Sequence, residues 1–155
     1  MTWIGIDPGT RCGWAVLADD GARIASGTWD CSVRRGEGAG FRYVRLTRYL
    51  GELLEAHPAS RVAYEDVRRH MGTDAAHVYG AIVGEIQRVC EERKLPYCSV
   101  PVGVVKKHAT GKGNAQKDAM VMAATVRWQC RVPWAIGEDE ADALFVADAA
   151  RVGVN

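Results

Sequence analysis

The chain has 155 residues, of which 48% are hydrophobic and 25% are charged, and its formal net charge is +1. This composition is typical of a soluble globular protein, and the length favours one domain that spans residues 1–155. The apolar runs are too short for a membrane-spanning helix, whereas the near-neutral charge neither supports nor excludes a nucleic-acid partner.

The amino terminus and the cysteines indicate the cellular compartment. No basic segment followed by an apolar stretch opens the chain, so we expect no signal peptide. The cysteines are odd in number and form no C-x-x-C pair, which argues against a disulfide framework and a zinc site. They are Cys12, Cys31, Cys90, Cys98 and Cys130. We therefore expect reduced thiols in a cytoplasmic protein.

Three predicted strands open the chain as a β-meander. Their residue pattern places them at Trp3–Asp7, Gly13–Ala18 and Arg23–Trp29. The connections Pro8-Gly9-Thr10 and Asp19-Asp20-Gly21 have the residues of tight turns. Strands joined by such short turns are expected to pair antiparallel.

Helices and a strand alternate through the middle of the chain. Apolar residues with helical spacing predict a helix over Gly40–Ala56, which a short strand over Arg61–Val67 follows. A second, longer helix is predicted from Thr73, as its cap, to about Arg93.

A groove of small residues is expected on that second helix. Ala76, Gly80 and Gly84 repeat every four residues, so they share one helix face and allow another backbone to approach closely. The surface that this groove meets is either the sheet or a partner subunit.

The last third of the chain completes the predicted fold. A fifth strand is predicted over Tyr97–Val100, and three helices over Val102–Ala109, Ala115–Gln129 and Glu138–Ala150. Strands that are connected through helices are expected to be parallel. The sequence therefore predicts an α/β fold with a mixed five-stranded sheet and helices on both of its faces.

Four carboxylates lie at positions from which they could share one site. Asp7 ends the first strand, and Glu65 lies in the fourth, where an acid is costly unless it is paired or binds a metal. Asp139 and Asp142 are three residues apart and share a helix face. Each has a structural alternative, which is a turn or strand end for the first two and helix-dipole stabilisation for the last two.

Divalent cations suit such a set of carboxylates, and two ions about 3.5–4 Å apart can support phosphodiester hydrolysis. Strand alternation turns Asp66 away from Glu65, and we interpret Glu138 and Glu140 as cap and surface residues. No Ser-His-Asp or Cys-His arrangement competes with the carboxylates, because the histidines are scattered and are interpreted as surface or structural residues. They are His57, His70, His77 and His108.

A basic stretch lies between the fifth strand and the last helix. Lys106, Lys107, Lys112 and Lys117 fall within twelve positions that also contain two glycines. Glycines let a backbone approach a phosphate, and lysines neutralise its charge, so we predict DNA contacts here. The structural alternative is a solvated surface loop.

Taken together, these motifs resemble the RuvC family of Holliday junction resolvases. Ile4-Gly5-Ile6-Asp7-Pro8-Gly9-Thr10 and Gly13-Trp14-Ala15-Val16 are similar to the family's opening, and Tyr64-Glu65-Asp66-Val67 to its second acidic motif. Val105-Lys106 and Gly111-Lys112-Gly113-Asn114-Ala115-Gln116-Lys117 resemble its basic loop. Asp139-Glu140-Ala141-Asp142-Ala143-Leu144 resembles its final motif, and all four occur in family order across nearly the whole chain.

This resemblance implies an RNase-H-like fold and a homodimer that nicks four-way DNA junctions in pairs. It implies two Mg²⁺ or Mn²⁺ ions at each active site, with hydrolysis that leaves 5′-phosphate and 3′-hydroxyl ends. The catalytic and metal-binding roles fall on Asp7, Glu65, Asp139 and Asp142. Lys106 and Lys117 are expected near the scissile phosphate, and the groove of small residues is the expected dimer interface.

One segment departs from the family pattern. Bacterial members carry an aromatic wedge shortly after the second acidic motif, where this chain has Arg68-Arg69-His70-Met71. Arg68 and Arg69 could stack on bases or hold phosphates, and Met71 could act as an apolar wedge. The substrate could therefore be another branched DNA, such as a flap, as for phage relatives of the family.

Three other functions are considered. A YqgF-type ribonuclease has a similar opening and size, but the basic loop and the pair Asp139 and Asp142 favour the RuvC type. An actin-like or sugar-kinase phosphotransferase needs two such domains, which 155 residues do not supply. A protein that binds junctions without cutting them is disfavoured because all four carboxylates are present.

Overall fold

The computed structural model describes residues 1–58, 60–128 and 136–154. Its strands are β1 (Thr2–Asp7), β2 (Arg11–Ala18), β3 (Arg23–Asp30), β4 (Ser60–Asp66) and β5 (Tyr97–Pro101). Its helices are α1 (Phe41–Ala56), α2 (Thr73–Glu92), α3 (Val102–Thr110), α4 (Lys117–Trp128) and α5 (Glu138–Arg151). Every predicted element is present with small shifts at its ends, although the predicted end of the fourth helix, Gln129, lies outside the described residues.

The cap of α2 differs from the prediction. Thr73 is the first residue of the helix, and Gly72 occupies the cap position without a side-chain hydrogen bond. The chain arrives at Gly72 in an extended conformation. The helix therefore begins at Thr73, whereas a cap at Thr73 would have placed the first helical residue at Asp74.

The five strands form one sheet in the order β3-β2-β1-β4-β5. The pairs β1/β2 and β2/β3 are antiparallel, whereas β1/β4 and β4/β5 are parallel. This is the predicted mixed sheet, with β1 at its centre. Because β1 and β4 run in the same direction, their carboxyl ends meet at one edge of the sheet.

Each face of the sheet carries its own hydrophobic core. On one face, Ile4, Val16 and Val62 pack with apolar residues of α1 and α2. On the other face, Leu17 and Val100 pack with apolar residues of α3, α4 and α5. Strand alternation sends neighbouring residues into different cores, which confirms helices on both faces.

Within the described residues, Cys12, Cys31, Cys90 and Cys98 are free thiols. Cys130 lies outside those residues. None of the helices described is long and apolar enough to cross a membrane.

Candidate active site

Two glycines of the sheet let α5 approach the strands unusually closely. A methyl group on Gly5 would lie 2.6 Å from the backbone nitrogen of Ala147 and 2.8 Å from its Cβ. A methyl group on Gly13 would overlap the carbonyl oxygen of Asp139. Real Cβ atoms do not occupy such positions, so side chains at these strand positions would hold α5 away from the sheet.

The same face of the sheet carries the two strand carboxylates. Gly13 pairs with Asp7 across β1 and β2, so Asp7 lies at the end of β1 beside the amino-terminal turn of α5. Gly5 pairs with Ala63 across β1 and β4, so Glu65 lies two residues further along β4 on the same face. Asp66 points the other way and forms an ion pair of 3.0 Å with Arg68, as alternation predicts.

The four predicted carboxylates are close enough for three of them to act electrostatically on Asp7. Burial raises the pKa of Asp7 well above its ordinary value, and the charges of Glu65, Asp142 and Asp139 raise it further. Asp7 also donates a hydrogen bond to Glu65 when it is protonated. These four side chains therefore form one electrostatic cluster.

Burial is also the main cause of the raised pKa of two other members of the cluster. It raises the pKa of Glu65 to about 7, helped by Asp142 and opposed by the hydrogen bond from Asp7 and by Lys106. It raises the pKa of Asp142 to about 6, helped by Asp139 and opposed by Lys106 and Lys117. Glu65 has only 6% of its surface exposed, which explains the strength of this effect.

The backbone at the end of β4 is held by a residue that the sequence did not point to. The hydroxyl of Tyr79 on α2 donates to the carbonyl of Glu65 at 2.8 Å and accepts from the backbone nitrogen of Val67 at 2.9 Å. The chain therefore leaves the carboxylate cluster in a defined direction. A tyrosine with helical spacing is ordinarily interpreted as a core residue, so only the tertiary structure shows this contact.

Of the predicted basic residues, Lys106 and Lys117 lie nearest the carboxylates. Lys106 on α3 acts electrostatically on both Glu65 and Asp142. Lys117 begins α4 and forms an ion pair of 3.0 Å with Glu138. Its hydrogen bond to Glu138 raises the pKa of Lys117, so its ammonium group stays charged. One cation was missed by the sequence reasoning, because Arg11 contacts Asp139 at 3.8 Å.

The other predicted DNA-binding residues lie around the cluster. Lys107 and Lys112 are exposed on and after α3, and Arg68 and Arg69 are exposed beyond β4. Met71 is fully exposed. Their exposure leaves them accessible to a large ligand, but the structure shows no contact between them and the carboxylates among the described residues.

The chemistry of the cluster fits a divalent cation. Carboxylate oxygens from two strands and a helix interact here, and a divalent cation would offset both the burial of Asp7, Glu65 and Asp142 and the repulsion among the acids. In the described part of the chain, however, no three Asp, Glu, His or Cys side chains already surround one point as ligands.

Comparison with known proteins assigns the chain to a family. A family model described as crossover junction endodeoxyribonuclease RuvC matches residues 3–149. The chain belongs to the RuvC family. Crossover junction endodeoxyribonuclease RuvC of Nitratidesulfovibrio vulgaris is 31% identical over 95% of this chain and 88% of its own length. The RuvC of Polynucleobacter asymbioticus is 32% identical over 95% of this chain and 86% of its own length.

Solved structures of RuvC proteins have the same fold. Thermus thermophilus RuvC in complex with a Holliday junction substrate superposes with a TM-score of 0.83 at 24% identity, over 99% of this chain and 97% of that one. The yeast mitochondrial Holliday junction resolvase Ydc2 superposes with a TM-score of 0.64 at 14% identity, over 96% and 77% of the two chains. These matches confirm the predicted RNase-H-like fold.

Proposed function

We propose that this protein is a metal-dependent endonuclease that resolves Holliday junctions by paired nicking. The observation that carries the proposal is the cluster of Asp7, Glu65, Asp139 and Asp142 beside Lys106, in a chain that belongs to the RuvC family. The family argues against the YqgF-type and phosphotransferase alternatives. The carboxylates argue against a protein that only binds junctions.

Asp7, Glu65, Asp139 and Asp142 would hold the divalent ions, and Mg²⁺ or Mn²⁺ suits these oxygen ligands. When bound, two such ions supply an activated water and stabilise the leaving oxygen of a phosphodiester. Glu65 is itself buried, and surroundings of low dielectric strengthen its electrostatic interactions with the other acids. The products would carry 5′-phosphate and 3′-hydroxyl ends.

The cations of α3 and α4 would hold the DNA backbone over the carboxylates. Lys106 interacts with Glu65 and Asp142, and Lys117 with Asp139 and Asp142, so both lysines would contact the scissile phosphate or its neighbour. Lys117 lies at the start of α4 with its charge exposed. Lys107 and Lys112 would contact phosphates further from the cut.

The segment after β4 would meet the centre of the junction. Arg68 and Arg69 are exposed and can hold phosphates or stack on bases, and Met71 offers a fully exposed apolar side chain where relatives have an aromatic wedge. The rings of His70 and Tyr79 pack with their centroids 4.7 Å apart, and this contact supports the segment on α2.

Two symmetric nicks require two active sites, so we propose a homodimer. On α2, Gly80 and Gly84 have no atom within 4 Å of an added Cβ, and Ala76 lies one turn before them. This open face supports the groove as the contact with a second copy rather than with the sheet. Arg88 on the same helix is paired with Glu85 and Glu92, so it would bring no unpaired charge to that contact.

A nicking assay on a set of labelled substrates tests the proposal. Four-way, three-way, flap and linear DNA, together with a structured RNA, are incubated with Mg²⁺ and with chelator. We expect paired cuts in the four-way junction that require Mg²⁺, and little cutting of linear DNA. Cleavage of the RNA but of no branched DNA would favour the YqgF-type alternative instead.

A further inference from the structure

A fully buried carboxylate lies on α5 two turns beyond the active-site cluster. Asp148 has no exposed surface, and it contacts a histidine and two arginines on three helices. Its Oδ2 lies 2.7 Å from Nε2 of His108 on α3 and 2.8 Å from Nη2 of Arg127 on α4. Its Oδ1 accepts from Nε and Nη2 of Arg151 on α5, at 3.1 and 2.8 Å.

The charge of Asp148 is well compensated. Burial acts to raise the pKa of this carboxyl, but hydrogen bonds from His108 and Arg151 and the charge of Arg127 hold the pKa below its ordinary value. Because a carboxylate only accepts hydrogen bonds, Nε2 of His108 must carry a proton. A buried ion cluster of this kind is strongly disrupted when one partner is removed.

The same cluster reaches the turn between β2 and β3. Nη1 of Arg151 donates to the carbonyl of Asp19 at 3.1 Å. Nε1 of Trp128, beside Arg127, donates to the carbonyl of Gly21 at 3.0 Å. The carboxyl-terminal ends of α4 and α5 are therefore tied to the sheet as well as to each other.

The helix α4 has less contact with the sheet than α3 and α5 do. It packs on α3 and α5, and of its twelve residues only Met120 and Ala124 are buried. Met122 and Val126 are 70% and 73% exposed. The helix α5, in contrast, contacts β1 and β2 closely through Gly5 and Gly13. Losing the cluster should therefore move α4 and the end of α3 that carries His108, while α5 stays against the sheet.

The carboxylates and the lysines of the proposed active site lie on elements that depend differently on Asp148. The carboxylates lie on β1, β4 and α5, whereas Lys106 lies two residues before His108 on α3, and Lys117 begins the helix that ends near Arg127. We infer that Asp148 is a positioning residue, which holds Lys106 and Lys117 against the carboxylate cluster through His108 and Arg127. This inference rests on the proposed endonuclease function and extends it to a residue outside the cluster.

Double-mutant cycles test the inference. The variants Asp148→Asn and Lys106→Ala are made singly and together, and single-turnover cleavage of a four-way junction is measured with Mg²⁺ well below every melting temperature. We expect each single variant to lower the rate about tenfold, and Lys106→Ala to cost about twofold or less once Asp148 is replaced, because the lysine is already displaced.

A matched cycle with Arg11 provides the control. Arg11 contacts the cluster from β2, which Asp148 does not hold, so the effects of Arg11→Ala and Asp148→Asn should multiply. A second readout follows the carboxylates themselves. The rise in melting temperature on adding Mg²⁺ should be the same in Asp148→Asn as in the parent, because α5 keeps its place.

Each outcome decides for or against the inference. Full multiplication of the Asp148→Asn and Lys106→Ala effects, or a normal cleavage rate in a less stable Asp148→Asn protein, would show a purely structural role. If Asp148→Asn does not fold, Arg127→Gln replaces it, and its effect must couple to that of Lys117→Ala. The same cycles can be measured as junction affinity in Ca²⁺, which needs no cleavage. A parent that cuts no branched DNA therefore overturns the proposed function, and the affinity cycles still decide this inference.

Discussion

The carbonyl oxygen of Asp139 occupies the space that a side chain on Gly13 would need. This contact sets the distance between α5 and the sheet at the end where Asp7 lies, since Gly13 and Asp7 are paired across β1 and β2. The close approach allows acids from a helix and from two strands to share one site. Gly13, because it has no side chain, is therefore as important to the cluster as the carboxylates.

Replacing Gly13 with alanine should separate the helix acids from the strand acids. We expect Gly13→Ala to lower junction cleavage at least about tenfold and to destabilise the protein by roughly 1–3 kcal/mol, because the added methyl overlaps backbone rather than a flexible side chain. Cleavage rate and thermal unfolding measure the two effects. Gly38→Ala is the matched control, since nothing lies within 4 Å of its added Cβ. Equal activity in the two variants would contradict this role of Gly13.

Neutral substitutions of the acids should abolish cutting and leave junction binding intact. Asp7→Asn, Glu65→Gln and Asp142→Asn are each expected to lower the cleavage rate at least about a hundredfold, because they remove charge that acts on the transition state rather than on the bound DNA. Single-turnover cleavage and gel-shift affinity separate the two effects. Asp66→Asn, next to Glu65 but on the other face, should still cut. Parental cutting by any of the three variants removes that residue from the site.

Substituting the lysines should change the salt dependence of junction binding. Lys106→Ala and Lys117→Ala are each expected to weaken affinity and to lower the slope of log affinity against log salt by about 1, since each lysine neutralises about one phosphate. Titration of a labelled junction at several salt concentrations measures the slope. Arg48→Ala, on α1, is the control and should keep the parental slope. An unchanged slope in Lys117→Ala would mean that this residue does not contact a phosphate.

In chelator, the carboxylate cluster should make the protein less stable as pH rises. The pKa of Glu65 is raised from its ordinary value of 4.5 to about 7, so the folded state holds a proton that the unfolded state has lost. Its stabilising contribution is complete below pH 4.5 and is lost as pH rises through 7, an effect on the order of 3 kcal/mol. The lowered pKa of Asp148 acts at lower pH, below its ordinary value of 3.8, so the two effects are separable.

Thermal unfolding between about pH 4.5 and 8 measures this loss. Glu65→Gln should weaken the dependence, because the amide does not titrate, and Asp142, whose pKa is raised to about 6, should account for part of what remains. Mg²⁺ should raise the melting temperature more at about pH 7.5 than at about pH 5.5, since the ion binds only deprotonated carboxylates. A melting temperature in chelator that rises steadily over this range, with no difference in Glu65→Gln, would mean that Glu65 is not buried as described.

A large side chain in the α2 groove should separate the proposed dimer. Gly84→Arg places a long, charged group on the open face, so we expect a monomer that binds junctions more weakly and makes unpaired nicks. Sedimentation velocity gives the mass, and a supercoiled cruciform plasmid distinguishes paired from single nicks. Gly38→Arg should leave the mass unchanged. A Gly84→Arg protein with parental mass places the interface elsewhere.

The sequence by itself determined the order and type of the elements, and which residues of a strand share one face of the sheet. Period-two alternation is local, so the strand pattern alone showed that Glu65 and Asp66 face opposite sides of the sheet, and the family resemblance then favoured Glu65. Motif order was also sufficient to indicate the RuvC family and the four carboxylates. The cap of α2 was misplaced by one residue, because the direction in which the chain enters a helix depends on contacts that its own residues do not encode.

Only the tertiary structure decided how these pieces act on one another. The distance of α5 from the sheet, the raised pKa of Glu65 and the contact of Tyr79 with its carbonyl all depend on atoms far apart in the chain. Asp148 is the clearest case, since its partner His108 lies 40 residues away and nothing in the local pattern of α5 marks it. Burial and long-range charge pairing are properties of the packed chain, so motif and periodicity reveal the reacting groups but not the residues that hold them in place.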